Sequence, residues 1–142
     1  MTVSTGVVLA AGEGTRLRPL TSTRPKPMLP VANRPILEYV LDALVDAGIS
    51  DLVLVVGYKR DRVQNHVGST YRGVPVTYVH QAKQLGSGHA LLQAREAVDG
   101  PFLTVNGDRV IDPQTVGDAL DAFDGTPTMA VRDHPNANEY PN

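Results

Sequence analysis

The stretch Leu9-Ala10-Ala11-Gly12-Glu13-Gly14-Thr15-Arg16-Leu17-Arg18-Pro19-Leu20 constrains this chain more than any other. An apolar run from Gly6 to Ala10 reads as a short buried strand, and it opens into a turn with two glycines. Glycine lets a backbone bend sharply and approach a ligand closely. Successive free N–H groups in such a turn form a concave anion site, to which Arg16 adds a charged fork of donors suited to phosphate oxygens. The turn therefore points to phosphate binding at the carboxyl end of a first strand. It is not a Gly-x-Gly-x-x-Gly fingerprint, because Leu17 stands where the third glycine would be, and no Gly-Lys-Ser/Thr follows as in a Walker A loop. An ordinary strand-to-helix loop is the plain alternative at this point.

Size and charge narrow the classes. The 142 residues suffice for one domain with a real core, and 42% apolar residues fit a globular chain. A net charge of −2 argues against a general nucleic-acid surface. The absence of cysteine excludes disulfides and thiolate metal sites. No stretch approaches a membrane span, and Met1-Thr2-Val3-Ser4 has no basic region leading an apolar one, so a cytoplasmic protein is expected.

Pro25, Pro27 and Pro30 rule out a helix across Thr21 to Val31, which should be a stiff extended loop presenting Lys26 as a fixed point charge or simply a solvated surface lysine. Asn33 suits an N-cap and Pro35 a first helical turn. Ile36, Leu37, Val40, Leu41, Leu44 and Val45 then recur at helical spacing, with Gly48 closing a helix from about Arg34 to Ala47. Leu52 to Val56 reads as a strand buried on both faces, Arg60 to Val67 as a short helix, and Val74 to Val79 as a strand whose Pro75 lies near an edge. A glycine-punctuated loop follows, with Ser87 as N-cap of a helix to about Val98. Pro101 to Val105 reads as a fourth strand, Pro113 to Phe123 as an amphipathic helix, and Thr126 to Val131 as a fifth strand before a polar tail. Alternating strands and helices predict an α/β fold, a Rossmann-like three-layer sandwich with a mainly parallel sheet. Ligands of such sheets lie beyond the carboxyl ends of the strands, where the glycine turn, the Gln81 loop and Asn106-Gly107-Asp108 all fall.

These residues resemble a known family. Leu9 to Thr21, followed by Pro25-Lys26-Pro27-Met28-Leu29-Pro30-Val31, is similar to the signature of the sugar-1-phosphate nucleotidylyltransferases. Gln81 with Leu85-Gly86-Ser87-Gly88-His89-Ala90 resembles the family's base-recognition loop, and Asn106-Gly107-Asp108 its metal-binding turn. The resemblance implies transfer of a nucleotidyl group from UTP or dTTP to a sugar 1-phosphate, giving a nucleotide sugar and pyrophosphate. It implies that Ala11, Gly12, Glu13, Gly14, Thr15 and Arg16 hold the triphosphate, that Lys26 neutralises charge at the α-phosphate, and that Asp108 binds Mg²⁺. Arg16, Lys26 and Asp108 would then be the catalytic residues. Gln81 would read the base through a paired donor and acceptor, completed by Gly86 and Ser87, with uracil or thymine favoured.

Other polar residues have plainer readings. His89 reads as a helix-start residue with structural contacts; His66, His80 and His134 show no ligand spacing; Tyr58 either lines the crevice or packs half-buried. Family members are considerably longer, so the chain is expected to be the nucleotide-binding part of such an enzyme with no second domain, open to association with a further copy. Asp112 and Asp133 are the other carboxylates available as substitutes for a second metal ligand, and Glu139-Tyr140-Pro141-Asn142 is a poor match to the family's sugar-site Tyr-Gly. A non-catalytic nucleotide-binding or regulatory subunit of the same fold, and a mannose-1-phosphate guanylyltransferase, are the alternative functions.

Overall fold

The computed structural model describes residues 3–12, 25–83 and 85–126. At its centre lies β1 (Thr5–Ala10), flanked in parallel by β4 (Asp51–Val56) and β7 (Phe102–Asn106). β6 (Val74–His80) continues the parallel run beyond β4, and β5 (Thr70–Tyr71) closes that edge antiparallel, giving the order β5-β6-β4-β1-β7. Val8 stands beside Leu54 on one side and Val105 on the other. Helices cover both faces, as apolar residues on both sides of a strand require. Against one face, α1 (Ile36–Asp46), α2 (Arg60–Val67) and α4 (Pro113–Ala122) bury Leu37, Val40, Leu41, Leu44, Val63 and Val116 on Val8, Leu52, Leu54 and Val56. Against the other, α3 (Ser87–Gln93) packs Ala90 on Val7, Val53 and Val55. This is the expected three-layer α/β sandwich. No helix among the described residues is long and apolar enough to cross a membrane.

The details differ from the sequence reading where residues have two uses. Asn33 does not cap α1. It sits with Ala32 at positive φ, 66° and 52°, in the two-residue turn joining β2 (Pro30–Val31) to β3 (Arg34–Pro35). Asparagine tolerates that conformation, and a tight hairpin needs it at both central positions. α1 therefore starts at Ile36, after Pro35. At its other end Gly48, at φ 100°, donates to the Val45 carbonyl while Ile49 N–H reaches Leu44, so the last carbonyls are satisfied and the chain turns into β4. The proline-rich stretch is not wholly extended: Lys26–Met28 forms one 3₁₀ turn, in which Pro27 sits where no N–H is required. Ser87 is the first residue of α3 and not its cap. Gly86, at φ 96°, precedes it and accepts from the Ala90 N–H at 3.0 Å. The helix ends at Gln93, and a 3₁₀ turn, Arg95–Ala97, replaces its expected last turn. Thr126 lies in a turn held by the Asp124 carboxylate and not in a strand; 127–131 fall outside the described residues.

On the outer side of α1, Asp42 ties three segments together. It accepts from Arg34 of β3 at 2.6 Å, from Tyr71 of β5 at 2.8 Å, and from Arg72 at 3.4 Å. Partial burial pushes its carboxyl up, but the bonds from Arg34 and Tyr71 outweigh burial and hold it below the ordinary aspartate range. A depressed folded pKa means that Asp42 stabilises the fold above the unfolded value of about 3.9 and loses that contribution as pH falls further. Asp42→Asn should therefore be less stable than the parent at neutral pH and show a shallower loss of stability between roughly pH 4 and pH 2, read from urea midpoints across that range.

The turn after β7 is the tightest join. Gly107 donates to the Leu9 carbonyl at 2.9 Å, and a Cβ there would stand 3.2 Å from Val8 Cγ1 and 3.3 Å from that same carbonyl oxygen. The oxygen cannot retreat without breaking the hydrogen bond. Gly107→Ala should cost about 1–3 kcal/mol in the denaturant midpoint, as other overpacked sites do.

Candidate active site

Three loops leave the sheet at the carboxyl ends of β1, β6 and β7, and they meet over one end of it. Ala11, itself buried, and Gly12 follow β1 directly. Gln81 follows β6, and its N–H reaches the Val56 carbonyl at 2.7 Å, which carries the strand pairing one residue further and directs the loop back toward β1. Asp108 follows β7, set by the Gly107–Leu9 bond one residue earlier. The proline-rich stretch brings Lys26 in from the side on its 3₁₀ turn.

Together these segments enclose a cavity of about 270 Å³. Ala11, Gly12, Lys26, Gln81, Gly86, Ser87 and Asp108, all singled out in the sequence, line it. Glu13, Gly14, Thr15 and Arg16 lie outside the described residues. Pro27, Asn106 and Arg109 line the cavity as well. Arg109 carried no signal of its own in the sequence beyond adjacency to Asp108, which the Asn-Gly-Asp turn made visible. Tyr58 is half-buried and is not part of the lining. Asp112 has another use: its carboxylate accepts from Thr115 N–H at 2.8 Å and Thr115 Oγ1 at 3.1 Å, capping α4, and these bonds hold its pKa below the ordinary value. Asp133 and 139–142 fall outside the described residues.

The charged pair at the cavity is Lys26 Nζ with Asp108 Oδ2, 3.0 Å apart. The side chains are 39% and 25% exposed, so water screens the pair and it holds the fold only weakly. It brings a cation and an anion together in a pocket whose β1 and α3 sides are small residues, Ala11, Gly12, Gly86, Ser87 and Ala90. Such a pocket admits a phosphate against its glycine backbone, while the lysine and the carboxylate offer opposite charges to what arrives. Gln81 stands deepest among the polar residues, 3% exposed.

The sequence profile of the nucleotidyl transferase family matches residues 5–140. The chain belongs to that family. Over 114 residues it is 48% identical to the UTP–glucose-1-phosphate uridylyltransferase AglF of Haloferax volcanii, a match covering 80% of this chain and 46% of that protein. It is 42% identical over 123 residues to the low-salt glycan biosynthesis nucleotidyltransferase Agl11 of the same organism, covering 84% of this chain and 34% of that one. It is 38% identical over 106 residues to the bifunctional protein GlmU of Methanococcus maripaludis, covering 75% and 25%. The chain thus spans less than half the length of these relatives. Among solved structures, a UDP-glucose pyrophosphorylase complexed with UDP-glucose superposes with a TM-score of 0.74 at 24% identity, covering 84% of this chain and 53% of that one. A UTP-bound UGPase from Acinetobacter baumannii gives 0.68 at 23%, covering 85% and 54%. Both share this fold.

Because the Lys26–Asp108 pair is half-exposed, it contributes little to the stability of the fold. Lys26→Met should shift the denaturant midpoint by less than about 1 kcal/mol.

Proposed function

We propose that this chain carries the nucleotide half of a sugar-1-phosphate nucleotidylyltransferase, which joins UTP to a sugar 1-phosphate and releases pyrophosphate. The observation that carries the reading is the convergence of Gly12, Gln81 and the Lys26–Asp108 pair, from four separate chain segments, on one cavity. The names of the relatives support it: AglF is called a UTP–glucose-1-phosphate uridylyltransferase, and the solved neighbours hold UDP-glucose and UTP. They favour UTP over dTTP, and glucose 1-phosphate as the first acceptor to test. A cytoplasmic setting follows from substrates of that kind. The exposed Leu92 and Phe102 support association with a further copy.

In this reading a phosphate oxygen of the sugar 1-phosphate attacks the α-phosphorus of UTP. The bond from that phosphorus to its bridging oxygen breaks, and pyrophosphate leaves with the electron pair. No protein nucleophile is needed; positioning and charge neutralisation are. The backbone of Ala11 to Thr15 cradles the phosphates, and Arg16 holds the triphosphate and the departing pyrophosphate. Lys26 turns from Asp108 to the α-phosphate and the incoming sugar phosphate, offsetting the repulsion between two anions.

The donor set at the cavity suits Mg²⁺ of a particular kind. Among the described residues there is no cluster of three or more histidine, aspartate or glutamate side chains. Asp108 would hold the ion through its hard carboxylate oxygens, with Asn106 also lining the cavity and triphosphate oxygens and water as the remaining ligands. When bound, the ion neutralises charge on the transferring phosphate.

The test is Mg²⁺-dependent pyrophosphate release by the 142-residue chain, offered UTP, dTTP and GTP, each with glucose 1-phosphate and N-acetylglucosamine 1-phosphate. Release that requires UTP and a sugar phosphate together is expected where the chain, alone or self-associated, completes the site. Nucleotide binding without release places the sugar half on further polypeptide. Failure to bind any nucleotide overturns the reading. Asp108→Asn should lower Mg²⁺-dependent turnover, or Mg²⁺-dependent UTP affinity where there is no turnover, by roughly a hundredfold, the range seen when a charge-stabilising group is removed. Arg16→Ala should weaken UTP binding far more than uridine binding, and equal losses for the two would remove Arg16 from the phosphate site.

A further inference from the structure

The carboxamide of Gln81 is buried, and both hydrogens of its Nε2 are used within the protein. One contact runs to His89 Nδ1 at 2.9 Å and the other to the Gly86 carbonyl at 3.3 Å. A primary amide has two donors on nitrogen and its acceptor lone pairs on oxygen. What Gln81 has left for a ligand is therefore the acceptor, Oε1. The paired donor and acceptor expected from the sequence are not both available.

His89 decides which way that amide faces. Its ring stands between two carboxamides, because Gln93 Nε2 lies 3.3 Å from its Nε2 and 3.2 Å from its own carbonyl oxygen. A neutral imidazole has one donor and one acceptor, so the two carboxamides must offer it opposite atoms. Each NH₂ also serves a carbonyl, of Gly86 or of His89, so burial decides: Gln81 is almost fully buried, whereas Gln93 is half-exposed and on turning gives up its bond to the His89 carbonyl to water. Nδ1 is then the acceptor, Nε2 carries the proton, and Gln93 presents its oxygen to Nε2–H.

We propose that His89 is a specificity-positioning residue: by accepting from Gln81 Nε2 it leaves Gln81 Oε1 as the atom that reads the base. An acceptor at that place pairs with a ring N–H, such as N3–H of uracil or thymine. It meets the lone pair of cytosine N3 unfavourably and leaves a buried acceptor unpaired, the kind of mismatch that binding sites reject most strongly. The proposal rests on the nucleotide-site reading above. Helix α3 carries His89 two residues after its start, so the residue that closes the loop also sets its hydrogen-bonding sense.

Two measurements test it separately. The first is the tautomer of His89 in the nucleotide-free protein, read from long-range ¹H–¹⁵N correlations of the imidazole ring. An unprotonated Nδ1 and a protonated Nε2 are expected; the reverse tautomer overturns the proposal whatever the site binds. The second is calorimetric binding of UTP and CTP to the parent protein, His89→Leu and His89→Asn. The parent should prefer UTP, His89→Leu should lose that preference by roughly tenfold, and His89→Asn, whose Oδ1 takes the place of Nδ1 as an acceptor, should recover most of it. Equal weakening of UTP and CTP in His89→Leu would assign His89 a packing role and overturn the proposal. Parent protein that binds neither nucleotide overturns the nucleotide-site reading itself, while the tautomer still reports whether His89 holds Gln81.

Discussion

The hydrogen bond from Gly107 N–H to the Leu9 carbonyl fixes the geometry on which the rest of the cavity depends. It joins the end of β7 to the end of β1 at 2.9 Å, in a space that admits no Cβ without crowding Val8, Leu37 and the carbonyl itself. Asp108 follows in the next position, so its direction is set by a backbone contact inside the core and not by the flexibility of a surface loop. The same principle recurs at β6, where Gln81 N–H continues the pairing with Val56 at 2.7 Å. Gln81 and Asp108 are thus extensions of the parallel sheet by one or two residues, and their positions inherit its rigidity.

The parts of this architecture visible in the sequence were those with one physical use. Leu52 to Val56 is apolar at every position and is buried at every position, because a central parallel strand has helices on both faces. The spacing of Leu37, Val40, Leu41 and Leu44 could satisfy only a helix, and all four are buried. The β2–β3 hairpin escaped notice because its strands are two residues long and its turn rests on residues that serve several purposes. Asparagine caps helices and also tolerates positive φ, so Asn33 read as an N-cap, and the pairing of Val31 with Arg34 shows it in a turn instead. Ser87 was read as a cap for the same reason. A serine can cap, but here the glycine makes the turn and its carbonyl begins the helix.

The site was legible in the same uneven way. The Gly12 turn and Lys26 each had a plain explanation, and the order of three motifs along the chain, with Gln81 and Asp108 in the other two, raised them above it. The structure adds what order cannot supply, which is contact: Lys26 with Asp108, and Gln81 with His89. His89 was read as a structural residue at the start of α3, and contact with Gln81 is a structural role of that sort. Its significance depends on the partner being the one buried polar side chain among the described residues, which a one-dimensional pattern does not reveal.

The two polar pairs at this end of the sheet differ in their exposure to water. The Lys26–Asp108 pair is half-exposed, so separating its members costs little; water and an arriving phosphate or cation replace each partner. In the Gln81–His89 pair the Gln81 side chain is almost fully buried, so turning its amide would leave its own polar atoms without partners. In the proposed reading, the charge redistributed during phosphoryl chemistry sits where exchange is easy, and the group proposed to discriminate sits where exchange is hard. A buried lysine–aspartate pair would resist the approach of both substrates, and an exposed glutamine would offer donor or acceptor indifferently to any base. The fold separates the two by depth: the charged pair comes from a proline-fixed turn at the mouth and from the end of β7, the amide from the end of β6 beneath α3.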